Sequence, residues 1–311
     1  MNQLSLFESA SFTQDYLEKR YIEATVESSS SKSYGNSYRL MYHLQHGQLY
    51  LSQAKVSPFA IKPMLLFYGL SQLLKACLIV HDPEYPASSS VLAHGLSTRK
   101  RKKQGYSFLT DEVKVQREGL YPHLLLKMFH MKHYELDDKY SMIKLLKQLP
   151  EMADPIHYLS NKTVFVSGSK SEKAIQFHSS ILDEYHMTPE RFQLYINNHL
   201  FDRKATVNED RNSLIINYSS HARFSAPSPI RMNQEGLPVL HSNRSDFLLL
   251  PELAVYYLIL YNLSMICRYE TEWWGERLHT MDCDDVPYIK HFLTIAEDRT
   301  QLLIINELLN K

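Results

Sequence analysis

Five consecutive cations, Arg99-Lys100-Arg101-Lys102-Lys103, follow the stretch His94-Gly95-Leu96-Ser97-Thr98. Guanidinium forks and ammonium groups hold phosphates, and hydroxyls with free backbone N–H groups complete such cradles. His94, Ser97, Thr98, Arg99, Lys100, Arg101, Lys102 and Lys103 are therefore candidate ligands of a phosphate-rich anion. A solvated basic loop has the same composition, as does a nuclear localisation signal, although nothing else in the chain argues for a nucleus. RNA is the alternative anion. Nucleic-acid surfaces combine cations with stacking aromatics, and here only Tyr106 and Phe108 follow the run, so a compact polyphosphate fits at least as well. The chain has no G-x-x-x-x-G-K-[ST] and no G-x-G-x-x-G, which leaves any nucleotide to an unfamiliar loop.

The 15 histidines form no H-E-x-x-H or H-x-E…C-x-x-C pattern. His43/His46 and His130/His133 share helix faces but lack a carboxylate ligand there. No G-x-S-x-G elbow is present either. No catalytic residue, metal ligand or cofactor is assigned from these residues. Cys77, Cys267 and Cys283 are odd in number and widely spaced, so they suggest neither a zinc site nor a disulfide framework, and a reducing cytoplasm is expected.

The elements that must position the cations read as follows. Residues 12–27 have helical spacing, and the serine run 28–33 then predicts a mobile loop before a second helix over 38–54. Lys62–Val80 opens with Pro63 and is apolar all round, which predicts a helix buried on most faces. Its Lys62, Tyr68 and Lys75 either snorkel to solvent or form a polar wall beside a site. Residues 83–105 lose the helical period. Ser107–Gly119 alternates as a short hairpin would. Helical patterns return at 121–130, 140–149 and 190–200, with strand patterns at 162–166 and 214–218. Leu253–Arg268 is apolar over about four turns, and Val286–Leu309 carries one or two more helices. Between them, Arg268 and Tyr269 with Trp273 and Trp274 form an aromatic and cationic corner, suited to a base or partner, or to capping the core.

The expected fold is α+β and mainly α-helical: one large domain over 1–311, in which helical segments 12–80 and 247–311 pack together around a mixed insertion at about 83–246. With 311 residues the chain can bury a sizeable core without metal or disulfides. Its 34 basic and 34 acidic residues exclude a whole-protein basic field, so any anion must meet a local patch. Met1–Thr13 does not read as a secretion signal, and Phe247–Leu263 is broken by Pro251, Glu252 and Asn262, so no membrane association is expected.

The stretches Lys62–Leu70 with Leu74-Lys75-Ala76, Tyr85-Pro86, Val91–Lys103 and Leu263–Tyr269 with Trp273 or Trp274 resemble the YaaC-like proteins of Gram-positive bacteria over most of the chain. The His94–Lys103 block is the most specific part. This resemblance implies a cytoplasmic, non-catalytic regulatory protein linked to purine metabolism. It would bind a guanine nucleotide such as guanosine tetra- or pentaphosphate and inhibit IMP dehydrogenase, with Lys62, Tyr68, Lys75, Arg268, Tyr269 and Trp274 as supporting residues. The entry to the apolar helix also resembles HEPN-type helical bundles, whose ribonucleases carry Arg and His with four to six residues between them. Arg39 with His46 and Arg117 with His123 fit that spacing. Chance spacing alone yields about two such pairs, so an RNA-binding protein or ribonuclease stands as the alternative.

Overall fold

The structure, a computed structural model, describes residues 3–99, 106–132, 139–199, 205–218, 227–280 and 283–309. In chain order the helices are α1 (Ala10–Glu23), α2 (Ser29–Val56), α3 (Lys62–His81), α4 (Leu120–Phe129), α5 (Met142–Leu146), α6 (Ala153–Ser160), α7 (Ile181–Tyr185), α8 (Pro189–His199), α9 (Glu252–Tyr269), α10 (Thr271–Thr280) and α11 (Asp285–Leu309). The strands are β1 (Leu96–Thr98), β2 (Glu112–Val115), β3 (Lys139–Ser141), β4 (Phe165–Ser167), β5 (Ser169–Lys170), β6 (Ala174–His178), β7 (Thr206–Asp210), β8 (Ser213–Asn217), β9 (Arg231–Met232) and β10 (Pro238–His241). This is an α+β, mainly helical fold. Two compact units are distinguished: Met1–Tyr140 with Tyr256–Val286 and Leu293–Lys311, and Ser141–Val255 with Pro287–Phe292.

In the first unit, α1 starts at Ser9, whose hydroxyl caps the free Phe12 N–H at 3.3 Å. The expected loop at 28–33 is instead the start of α2. The hydroxyls of Ser29, Ser33 and Ser37 donate back to the carbonyls of Val26, Ser30 and Tyr34 rather than to a turn of their own, and Ser33 and Ser37 are small enough to be buried, so packing overrides the weak helix preference of serine. Further along, α2 and α3 approach so closely that a Cβ on Gly47 would lie 2.5 Å from Leu73, and one on Gly69 would lie 2.8 Å from Leu51. Gly35 of the same helix is different, since a Cβ there meets nothing within 4 Å. Gly35→Ala should therefore raise stability by roughly 0.5–1 kcal/mol in urea unfolding, because helix interiors disfavour glycine and no packing demands it here.

Helix α3 is long and apolar enough to cross a membrane by length and composition, and 72% of its apolar window is buried inside the protein. Strand β2 does not form a hairpin within 107–119. It pairs antiparallel with β1 in the register Leu96↔Val115, Ser97↔Lys114 and Thr98↔Val113. The residues expected to supply the first hairpin strand are drawn away, because Asp285 accepts from Phe108 N–H at 2.7 Å and from the Ser107 hydroxyl at 2.9 Å and holds a 3₁₀ turn with Phe108 fully buried.

The second unit carries antiparallel sheets in the orders β4-β10-β9 and β5-β6-β8-β7. The inward residues of β6 and β8, Ile175, Phe177, Leu214 and Ile216, pack with Tyr185, Phe192 and Ile196 from α7 and α8. His241 of β10 is fully buried and donates Nε2–H to the Lys147 carbonyl at 3.0 Å. Burial, and after it the Arg231 charge, lower its pKa from 6.5 to about 3. Folded His241 is thus neutral where the unfolded chain would protonate it, so stability falls as pH drops from the unfolded value towards the folded one. Between pH 7 and pH 5 the loss should be roughly 2 kcal/mol. Urea titrations of this protein and His241→Gln at both pH values check this, since the variant should lack that part of the slope.

Candidate functional site

The polar side of α3 is built by three residues one turn apart, Tyr68, Gln72 and Lys75, in a helix that is otherwise apolar. Spacing of four and three residues puts them in one line. Arg39, His43, His46 and Tyr50 make the matching line on α2. The two lines meet where His43 donates Nδ1–H to the Gln72 side-chain oxygen at 2.6 Å, and where the Tyr50 and Tyr68 rings lie 5.9 Å apart.

His94 reaches this seam from the segment before β1. Its backbone is set by two glycines packed back to back: Gly95 has φ +74, Gly119 has φ +129, and a Cβ on Gly119 would lie 2.3 Å from the Gly95 Cα. Side chains other than hydrogen are excluded there. The carbonyls of Ala93 and His94 then accept the first free N–H groups of α4, from Leu120 at 2.7 Å and Tyr121 at 3.2 Å. Tyr261 of α9 donates to the Leu96 carbonyl at 2.9 Å and fixes the strand that follows.

So held, the His94 ring stands edge-on to Phe67 at 4.9 Å and 5.7 Å from the Tyr261 ring. Its Nδ1 lies 3.3 Å from the Tyr257 hydroxyl. Burial lowers the His94 pKa, and the charges of Arg268 and Lys75 lower it further. A neutral His94 that accepts from Tyr257 at Nδ1 keeps Nε2–H as a donor for a ligand.

Arg268 lies at the C-terminal end of α9, its guanidinium 5.6 Å from the Tyr68 ring centroid and 5.1 Å from that of Tyr269. It donates to the Tyr68 hydroxyl at 2.9 Å and to the Ser264 carbonyl at 3.1 Å. Among the described residues neither Arg268 nor Lys75 is paired with a carboxylate, and desolvation lowers the Lys75 pKa. Two half-buried cations and an imidazole N–H beside aromatic rings, with no carboxylate partner among the described residues, are the groups whose chemistry suits an external anion.

The other sequence candidates are placed elsewhere or do other work. The Ser97 hydroxyl accepts from Gln116 at 2.7 Å; Thr98 ends β1, and Arg99 is exposed beyond it. Lys100, Arg101, Lys102 and Lys103 lie outside the described residues. Lys62 is buried against Glu297, and Trp274, only 3% exposed, donates its indole N–H to the Ala60 carbonyl at 2.8 Å. Of the HEPN-like pairs, Arg39 donates to Asn36 Oδ1 at 2.7 Å and to the Tyr85 carbonyl, with His46 exposed two turns on. Arg117 is exposed before α4, and His123 Nε2 bonds Asp82 at 2.8 Å. Among the described residues no group of three or more His, Cys, Asp or Glu side chains is placed to hold a metal ion.

Sequence reasoning did not assign His43, Phe67, Gln72, Tyr257 or Tyr261 to a binding site. Gln72 was within reach, because it completes the strip from Tyr68 to Lys75. The two tyrosines were hidden in an apolar run that reads as core. In comparison with known proteins, the family model described as YaaC-like Protein matches residues 5–308. No curated protein and no solved structure matches the chain.

Proposed function

The chain belongs to the YaaC-like protein family, and from the cluster around His94 we propose that it is a cytoplasmic, non-catalytic regulator that binds a phosphate-rich guanine nucleotide. Guanosine tetra- or pentaphosphate is the ligand that the family resemblance implies, and IMP dehydrogenase is the partner whose activity the loaded protein would restrain. The carrying observation is the pair Lys75 and Arg268, two half-buried cations without carboxylate partners among the described residues, whose charges both act on His94. Arg268 and Lys75 take phosphate oxygens, His94 Nε2–H donates to another, and the exposed Tyr269 offers a ring face to the base, while the buried Phe67 holds the His94 ring in place.

A thermal-melt series against guanine and adenine nucleotides tests the reading. A ligand at about 100 times its dissociation constant that binds only the folded state adds roughly 2.7 kcal/mol, and a shift selective for guanosine tetraphosphate is expected. The absence of a shift with every nucleotide would remove the reading. Addition of the loaded protein to purified IMP dehydrogenase should lower its turnover, and unchanged turnover would remove the partner assignment alone.

A further inference from the structure

A groove of about 510 Å³ is lined along α2 by Gln45, Gln48, Leu49 and Ser52, with Gln301 of α11 as its other wall. Those four α2 positions are i, i+3, i+4 and i+7, the spacing of the four residues that form one hole in a knobs-into-holes helix pair. The same face of α2 carries Tyr34, Tyr38, Tyr42, Leu49 and Val56, all more than half exposed. Tyr42, Leu49 and Val56 recur every seven residues, and Tyr38, Gln45 and Ser52 alternate with them at the same interval. A solvent-facing stripe of this period, sustained for about six turns, has the pattern of a helix that packs along a second helix. We infer that α2 pairs antiparallel with α2 of a second copy of this chain, in a two-fold symmetric dimer where Tyr42 of each copy fills the groove of the other.

The stripe is its own complement when reversed, and this selects a second copy as the occupant. With the two-fold axis at Gln45, Tyr34 faces Val56 of the second copy, Tyr38 faces Ser52, and Tyr42 faces Gln48 and Leu49. Each ring is thus set against a smaller side chain, as interdigitation at interior packing density requires. The two Gln45 carboxamides, each both donor and acceptor, meet on the axis. A partner of unrelated sequence would have to supply this order, whereas a second copy supplies it by symmetry.

Charge permits the pairing. The stripe contains no Lys, Arg, Asp or Glu. Lys32 and Lys55, at the two ends of α2, are paired with Glu84 and Asp298, and in this register Lys55 lies across from Gly35, where a Cβ would meet nothing within 4 Å. Arg39 donates to Asn36 and to the Tyr85 carbonyl, and the two copies of Arg39 stand about 18 Å apart along the helices, beyond the screening length of about 10 Å. Area is sufficient. An aromatic side chain buries about 150–250 Å², so tyrosines exposed to 69%, 51% and 58% bring about 350 Å² per copy. Leu49, Val56 and the glutamines add to this, and doubled across the axis the contact reaches roughly the 1,200 Å² at which specific interfaces begin.

Sedimentation equilibrium of the full chain over a range of concentrations is the test, and a monomer–dimer equilibrium is expected. Tyr42→Arg and Leu49→Arg, at the centre of the stripe, should each raise the dissociation constant by about 30-fold or more, the size of a central hot-spot residue. Both positions are exposed, and circular dichroism checks that the variants fold. Orientation is read by oxidative cross-linking. The Gln45→Cys protein should link to itself above the background set by Cys77, Cys267 and Cys283 in the parent, because residues on the axis come within the ~4.4–6.8 Å between Cα atoms that a disulfide spans. Val56→Cys should not link to itself, since its two copies lie about 33 Å apart along the helices, but should link to Tyr34→Cys when the two variants are mixed. A chain that is monomeric at every concentration would overturn the proposal. So would a dimer that survives Tyr42→Arg/Leu49→Arg, or one in which Val56→Cys links to itself and Gln45→Cys does not. The dimer does not depend on the nucleotide site: none of the stripe residues belongs to the His94 cluster, and Tyr42→Arg/Leu49→Arg should leave the thermal response to guanosine tetraphosphate as it is in the parent.

Discussion

If the seam is the proposed nucleotide site, guanosine tetraphosphate is expected to raise the melting temperature of the parent and not that of the Lys75→Ala/Arg268→Ala protein. Each charge-assisted contact to a phosphate is worth about 1.5–3 kcal/mol, so removing two weakens binding by between about 10²- and 10⁴-fold. The single substitutions divide this effect in an informative way. Arg268→Lys keeps the charge but loses the planar fork that lies between Tyr68 and Tyr269, so it should recover only part of the affinity. Lys75 carries a second signature. Its desolvated ammonium has a lowered pKa and no carboxylate partner among the described residues, which means that the folded state is less favourable for that charge than water is. Lys75→Met should therefore raise the melting temperature of the ligand-free protein while reducing the ligand-induced shift. A structural lysine would show the opposite on the first count. Equal nucleotide affinity in parent and double variant, measured by calorimetry, would exclude the seam as the site.

Lys62 shows how differently a cation behaves once the fold has given it a partner. Its ammonium is buried against the Glu297 carboxylate and lies 5.1 Å from the Phe59 ring centroid. Glu297→Ala leaves that ammonium buried without its counter-ion and should destabilise the protein by about 3–5 kcal/mol. The double substitution Lys62→Met/Glu297→Leu removes both charges at similar volume and should recover most of the loss. Urea unfolding of the two variants beside the parent checks this, and a double variant as unstable as Glu297→Ala would refute it. Guanosine tetraphosphate should shift the double variant as it shifts the parent, because Lys62 is occupied by Glu297 and not available to an anion. That outcome would separate Lys62 from Lys75, although both are lysines of the same apolar helix.

How far the sequence is legible depends on whether a feature is local. The all-apolar pattern of Lys62–Val80 with Pro63 in its first turn specifies a buried helix, and α3 is that helix. The same holds for the last 65 residues, where runs of apolar residues give α9 and α11. The serine run failed as a loop signal because its hydroxyls have a second option, donating to carbonyls one turn back, and only packing decides between the two. The hairpin expected in 107–119 failed for a related reason. Alternation marks β2 as a strand but does not name its partner, and Asp285, 177 residues further along from Phe108, captures the segment that would have paired.

Residue chemistry by itself determined which groups could meet an anion: His94 and Arg99 in the segment before and after β1, Lys75 and Tyr68 on an apolar helix, and Arg268 beside Tyr269. Those assignments rest on charge, hydrogen-bonding capacity and position within one element, all of which are properties of neighbours in the chain. Only the tertiary structure decided which of them converge. It brought Lys75, Tyr68 and Arg268 to His94 and added Phe67, Tyr257 and Tyr261 from runs that read as plain core. It also gave Lys62 to Glu297, 235 residues away. Whether a cation remains available for a ligand depends on whether a carboxylate reaches it in three dimensions, and that distance is set by helix packing rather than by any spacing along the chain.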